Sequence, residues 1–427
     1  MLFRSSGPGT QVLTAANTYS GTTTVTGGLL SNGITNALRS STELTVSGGT
    51  YDLAGFDQTV ASLSDGGSSS GTVTNSGALK QLTLNSGSET TFAGEISGAL
   101  RLRIQGGGKL TLPDSNSYAG TTFVVSGTLA IGSDSAIGTG TLDFGGGTIE
   151  SVDNTARTIT NPLNFSASSS FGGTGNLTFT ASPTPNGTDK TLTVTNPRTE
   201  FSGVLAGASG RTKEGDGLLV FSGLNTYTGA TTINAGILRI TNPVLSNTAA
   251  VVISGTGVLD LPYTTADQVG SLTLDGVVQS NGVYGAIGSG ASHETAFITG
   301  TGFLQVGPPG FSTFMDGFTS LTTAQKLPGA DPDNDGFSNL VEYALAGFDP
   351  TVADASPGTF AGGVLSFTKR AAAVSSGDIV YAIEASTTLD IGSWALVTPS
   401  VNDATTISYT LPTGLAKEFA RLRIVQY

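Results

Sequence analysis

Apolar and polar residues alternate in short runs along most of the chain. Leu110 and Leu112, Phe123 and Val125, and Leu129 and Ile131 are each two positions apart, and clusters of Gly, Asn or Ser separate the runs. A period of two with that punctuation predicts short β-strands, because successive side chains of an extended chain point to opposite faces. The pattern changes at Phe311: Phe314, Phe318 and Leu321 recur at helical spacing and glycine thins out, which predicts a short helix. Alternation then returns at Val364–Phe367, Ile379–Ile383, Trp394–Val397, Ile407–Tyr409 and Arg421–Val425. About five or six strands separated by turns predict a small β-sandwich over 351–427.

The strands before residue 307 belong to a repeat. Asn17-Thr18-Tyr19-Ser20-Gly21, Asn116-Ser117-Tyr118-Ala119-Gly120 and Asn225-Thr226-Tyr227-Thr228-Gly229 align, with tyrosines 99 and 109 residues apart. Phe92 through Gly120 and Phe201 through Gly229 have equal length, with Gly94/Gly203, Gly98/Gly207, Gly106/Gly215 and Gly108/Gly217 in register. A second motif recurs at Tyr51-Asp52-Leu53, Leu142-Asp143-Phe144 and Leu259-Asp260-Leu261. Strands of about five residues cannot each bury a face alone, and winding them into coils about 4.8 Å apart satisfies them. The expected fold is all-β: a right-handed parallel β-helix over 1–306, with about 22 residues per coil, on the order of 14 coils and a rod of roughly 65 Å. A β-propeller or a string of sandwiches is the alternative. The proline pair in Gly307-Pro308-Pro309-Gly310 is read as a domain boundary, and 307–327 as a linker with a short helix.

Composition narrows the function classes. The 427 residues include 61 glycines, no cysteine, one histidine and 11% charged residues, which argues against an ordinary helical or doubly wound enzyme. Acidic residues outnumber basic ones, 31 to 18, and no stretch gathers Lys and Arg into a stripe, so nucleic acid is a poor partner. Absence of cysteine excludes a disulfide framework and thiolate-bound zinc, and fits export. No window is apolar for long enough to span a membrane as a helix, and Met1-Leu2-Phe3-Arg4-Ser5-Ser6 lacks the apolar run of a signal peptide.

The succession Gly215, Gly217, Leu219, Asn225-Thr226-Tyr227, Gly229, Thr231-Thr232, Gly236 and Leu238 resembles the autotransporter-associated β-strand repeat, also called the passenger-associated transport repeat. The stretches Phe56–Leu63 and Thr91–Gly98 are similar to what accompanies that repeat in large exported bacterial proteins, so the resemblance covers nearly all of 1–306. It implies an extracellular or cell-surface location and dealings with export machinery. Aligning the first tyrosine segment on the second places Met1 opposite Leu100, inside a repeat, which predicts a truncated N-terminus with further coils and an export signal upstream.

Within 328–350, Asp331-Pro332-Asp333-Asn334-Asp335-Gly336-Phe337-Ser338-Asn339-Leu340-Val341-Glu342 fits a twelve-position calcium loop, with carboxylates at the first, third, fifth and twelfth positions and glycine at the sixth. Ca²⁺ takes about six to eight oxygens, and a loop turned at a glycine points alternate side chains inward. Asp331, Asp333 and Asp335 are expected to give one oxygen each, Phe337 its carbonyl, Asn339 a direct or water-mediated contact, and Glu342 two oxygens. A helix is expected from near Ser338 to around Gly347. Pro328 and Pro332 depart from an EF-hand, and the segment resembles the single aspartate-rich loops of dockerins and thrombospondin type 3 repeats. A solvated acidic turn capping a helix is the other reading.

Catalysis finds little support. Glycoside hydrolysis needs two carboxylates at a set separation, and acids and bases are not concentrated anywhere in the solenoid segment. Asp52, Asp143 and Asp260 recur with the repeat, which predicts turn or ladder chemistry. His293, beside Glu294, is expected on the surface, and one histidine without cysteine excludes an imidazole triad or three-histidine zinc site within the chain. Tyr19, Tyr118 and Tyr227 are expected to be structural, with a stacked ladder as one arrangement. The residues after Gly310 are too few for the usual outer-membrane barrel and carry no terminal apolar anchor. The expectation is a non-catalytic, calcium-stabilised surface rod that adheres to glycans or other cell-surface components. A polysaccharide lyase or hydrolase, and a scaffold that only assists export, are the alternatives.

Overall fold

The computed structural model describes residues 2–426 other than 86, 186, 292, 308, 309, 323, 391 and 415–417. Pro308, Pro309 and Met1, on which two of the expectations rest, lie outside the described residues. The chain divides into two compact units, one of residues 1–265, 273–276 and 296–302, the other of 266–272, 277–295 and 303–427.

The first unit is built of short parallel strands. Phe3 pairs with Thr23, Thr23 with Leu44, and Leu44 with Leu63, steps of 20, 21 and 19 residues. The chain forms a parallel β-solenoid of about 14 turns, with turns nearer 20 than the expected 22 residues. One turn runs through the strands Leu163–Phe165, Ser169–Gly173 and Leu177–Phe179 before Pro183–Thr184 stacks on its start, and those three strands lie in three different sheets. Alternation sets which side chains fill the interior: in Leu177-Thr178-Phe179 the outer two are buried and the threonine is not.

Phenylalanines form the middle of that interior. Phe144 stacks on Phe165 with centroids 4.6 Å apart, Phe179 on Phe201 at 5.0 Å, and Phe171 meets Phe179 and Phe201 edge-on at 5.6 Å. These rings come from all three walls of the coil, so the parallel stack is tied across its width.

The repeated tyrosines, by contrast, form no ladder. The equivalent strands that follow them, Thr23–Val25, Thr122–Val124 and Thr231–Ile233, fall in three different sheets. The physical reason lies in the spacings: at about 20 residues per turn, 99 and 109 residues put successive tyrosines about five turns apart, roughly 24 Å at the spacing of stacked strands, so their rings cannot touch.

Among its described residues the second unit holds three short α-helices: α1 (Phe311–Asp316), α2 (Asn339–Ala344) and α3 (Ala371–Ser376). Besides a mixed sheet of Ala266–Val269, Phe303–Val306, Gly282–Gly285 and His293–Glu294, antiparallel sheets accompany them. One orders Gly358–Ala361, Val364–Thr368, Thr406–Thr410 and Val401–Asn402; the other orders Ala395–Val397, Ile379–Ser386 and Phe419–Gln426. Phe367 and Ile407 of the first sheet and Tyr381 and Ile383 of the second share one core, as the predicted sandwich requires. Phe311 and Met315 of α1, and Tyr343 and Ala344 of α2, are buried in that same core. Helix α2 ends before the predicted Gly347 because Leu345 turns extended, at φ −107° and ψ 143°, and bridges to Lys369. No helix among the described residues is long and apolar enough to cross a membrane.

Candidate metal centre

The aspartate-rich loop precedes α2 and is held by its own carboxylates. Asp331 Oδ1 accepts from the Asp335 amide at 3.2 Å and Oδ2 from the Gly336 amide at 3.0 Å. Asp335 Oδ1 accepts from the Phe337 amide at 2.8 Å. Such a reversal needs left-handed backbone, and Asn334 and Gly336 supply it with φ of 60° and 95°. One oxygen each from Asp331, Asp333 and Asp335 lie within 4.8 Å of one another.

Glu342 comes from the first turn of α2 and is fully buried, with neither carboxylate oxygen hydrogen-bonded. Asp333 Oδ2 is also buried without a partner. An oxygen of Glu342 lies within 4.8 Å of oxygens of Asp335 and Asp354. Burial first, then the charges of Asp333, Asp335, Asp354 and Asp331, push the Glu342 carboxyl up to about 8. Burial and the neighbouring aspartates raise Asp333 as well. Among the described residues no lysine or arginine forms an ion pair with any of these five acids.

Hard oxygen donors converging around an unpaired buried carboxylate fit a hard divalent cation. Asn339 sits differently from the other expected ligands: its Nδ2 donates to the Gln325 and Leu327 carbonyls at 2.7 and 2.8 Å, which fastens α2 to the segment ahead of the loop. Its Oδ1 is buried without a hydrogen bond, so this atom alone of the side chain is left for an ion or a water. Asp354 is the residue that sequence reasoning missed. It stands twelve positions beyond Glu342, outside any loop spacing rule, and only the fold of 345–354 returns it to the cluster.

The acids of the solenoid are engaged in structural work. Asp52 Oδ1 accepts from the Ala54 and Ser76 amides, Asp143 Oδ2 from Asn164 and Ser166 side chains, and Asp260 pairs with Arg239 Nε at 2.6 Å. His293 is exposed and stacks on Tyr284 with centroids 4.6 Å apart. Among the described residues, the only clusters of three acidic or histidine side chains with ligand spacing are the two that share Asp335.

Comparison with known proteins bears on the solenoid. The family model described as Passenger-associated-transport-repeat matches residues 6–31, 103–131 and 212–240. The chain carries passenger-associated transport repeats. It is also 31% identical over 249 residues to the Adhesin BmaC autotransporter of Brucella suis biovar 1 (strain 1330), an alignment that covers 55% of this chain and 7% of that protein. No solved structure matches the chain.

The geometry accounts for the signature of these passenger repeats. In each copy the tyrosine hydroxyl meets the threonine four residues on: Tyr19 with Thr23 at 2.6 Å, Tyr118 with Thr122 at 2.6 Å, and Tyr227 with Thr231 at 2.8 Å. The asparagine two residues before the tyrosine spans neighbouring turns. Asn116 Oδ1 accepts from the Ile96 amide and its Nδ2 donates to the Ala136 carbonyl, while Asn225 Oδ1 accepts from the Leu205 amide. A passenger repeat is thus a corner device, pinning one turn to the next where the backbone leaves strand pairing.

Proposed function

We propose that this chain is a non-catalytic, passenger-like repeat protein that is secreted or displayed on a bacterial cell surface, where its solenoid serves adhesion and its second unit is stabilised by Ca²⁺. The observation that carries the reading is the parallel solenoid of passenger repeats, aligned over 55% of the chain with an adhesin autotransporter. Two further features support it. Leucine, valine, isoleucine and phenylalanine make up most of the interior, and the recurring acids are consumed by hydrogen bonds and one ion pair. For the cation, Asp331, Asp333, Asp335 and Glu342 are the loop's carboxylate ligands, the Phe337 carbonyl and Asn339 Oδ1 add neutral oxygens, and the ion neutralises charge that nothing else in the loop offsets. Glycans or other cell-surface components are the partners in this reading, and export machinery handles the chain on the way out.

The test is binding set against turnover. Purified chain is applied to glycan arrays and to intact cells, and in parallel to polysaccharides scored for new reducing or unsaturated ends. Saturable binding without turnover is the expected result. Turnover abolished by replacing a pair of carboxylates would replace the adhesin reading with an enzymatic one.

A further inference from the structure

The twelve-residue loop does not hold all of the carboxylates that converge on Glu342. Asp354 belongs to the chain beyond α2, and one of its oxygens lies within 4.8 Å of oxygens of both Asp335 and Glu342. Its placement is enforced from two sides. The Asp354 amide donates to Asp335 Oδ2 at 2.8 Å, and its own Oδ2 accepts from the Asp349 amide at 2.9 Å. The turn between them is closed by Asp349 Oδ1, which accepts from the Thr351 amide and hydroxyl at 2.9 and 2.7 Å. An acid brought against two others, one of them fully buried and lacking any hydrogen-bond donor, is disfavoured unless a cation sits among them.

We propose that Asp354 is a direct ligand of the loop's divalent cation, so that the ion closes the loop and also clamps the 349–354 turn onto α2. The proposal rests on the calcium reading above and extends it. The consequence is structural coupling: α2 carries Tyr343 and Ala344 into the core of the second unit, and residues 355–358 lead from the clamped turn to the first strand of a sheet that lines that core. Cation binding thereby fastens both ends of the connection between helix and sheet.

The experiment uses the full chain with Asp354→Asn, Glu342→Gln and Asp349→Asn. Asparagine at 354 keeps an oxygen for the Asp349 amide but loses the charge. Calcium affinity is measured by calorimetry, and the number of waters on bound Tb³⁺ by luminescence lifetimes in H₂O and D₂O. If Asp354 is a ligand, Asp354→Asn weakens calcium binding about tenfold or more, consistent with loss of a contact to the ion, and adds about one water to bound Tb³⁺. Asp349→Asn leaves both readings near wild type. Unchanged affinity and hydration in Asp354→Asn would overturn the proposal, as would weaker binding with no added water, because Asp354 would then only shape the turn. If Glu342→Gln itself leaves calcium binding intact, the calcium reading fails and this inference with it. If Glu342→Gln abolishes binding while Asp354→Asn does not alter it, the calcium reading stands and this inference alone falls.

Discussion

Tyr118 is fully buried, and its hydroxyl bonds to Thr122, itself fully buried. Removing that hydroxyl leaves the threonine with only its long bond to the Ile137 carbonyl, at 3.4 Å, in a place water does not reach. Tyr118→Phe is therefore expected to cost about 1–3 kcal/mol, read as a shift in the urea midpoint. Tyr19 makes the same bond to an equally buried threonine but is itself partly exposed, so Tyr19→Phe is expected to cost less, about 0.5–1.5 kcal/mol. Lys213 illustrates a residue whose cost depends on pH. It is 1% exposed, its ammonium donates to the carbonyls of Glu214, Gly215 and Ala235, and burial pushes it down to about 8. Between that value and the 10.5 of an unperturbed lysine, the unfolded chain binds more protons than the folded one, so stability rises with pH across that window and levels off at its lower value below about 8, where both states are protonated. Urea midpoints at about pH 7.5, below that value, and about pH 9.5, inside the window, should converge in Lys213→Met if the lysine is the source.

The strand is a weak element by itself here, commonly three or four residues long, and it holds only because the next turn covers it. Where Phe144, Phe165, Phe171, Phe179 and Phe201 meet, each ring packs on partners from other walls, and the loss of one leaves a gap that parallel turns cannot close by sliding. Phe201→Ala is expected to destabilise the solenoid by about 3–5 kcal/mol, visible as a lower denaturant midpoint with the C-terminal unit unaffected. Helix α2 shows the same dependence. Six residues do not sustain an isolated helix, so its persistence rests on Tyr343 and Ala344 in the core and, in the proposed calcium reading, on a cation at Glu342. Glu342→Gln and Asp331→Ala are expected to reduce calcium affinity by at least tenfold in calorimetric titrations, because each removes charge from the ligand set.

At the scale of the whole molecule, a division into two compact units predicts two calorimetric transitions. Only the transition of the unit containing residues 303–427 should move when calcium is added or chelated; at a concentration about a hundred times the dissociation constant the gain is about 2.7 kcal/mol. A chelator that shifted the solenoid's transition instead would contradict the proposed cation site. The sequence was enough to establish short strands, their repetition and a loop of regularly spaced aspartates, because each of these is a short-range pattern: period two, a motif copied whole, a spacing of twelve. It could not establish how the copies are oriented around the solenoid, since a difference of half a turn between Tyr19–Tyr118 and Tyr118–Tyr227 depends on the length of every intervening coil. Nor could it place Phe311 and Tyr343 in the core of the following sheets, or Asp354 beside Glu342. Those neighbours are separated along the chain by corners and turns whose paths no local periodicity records, and only the packed tertiary structure brings them together.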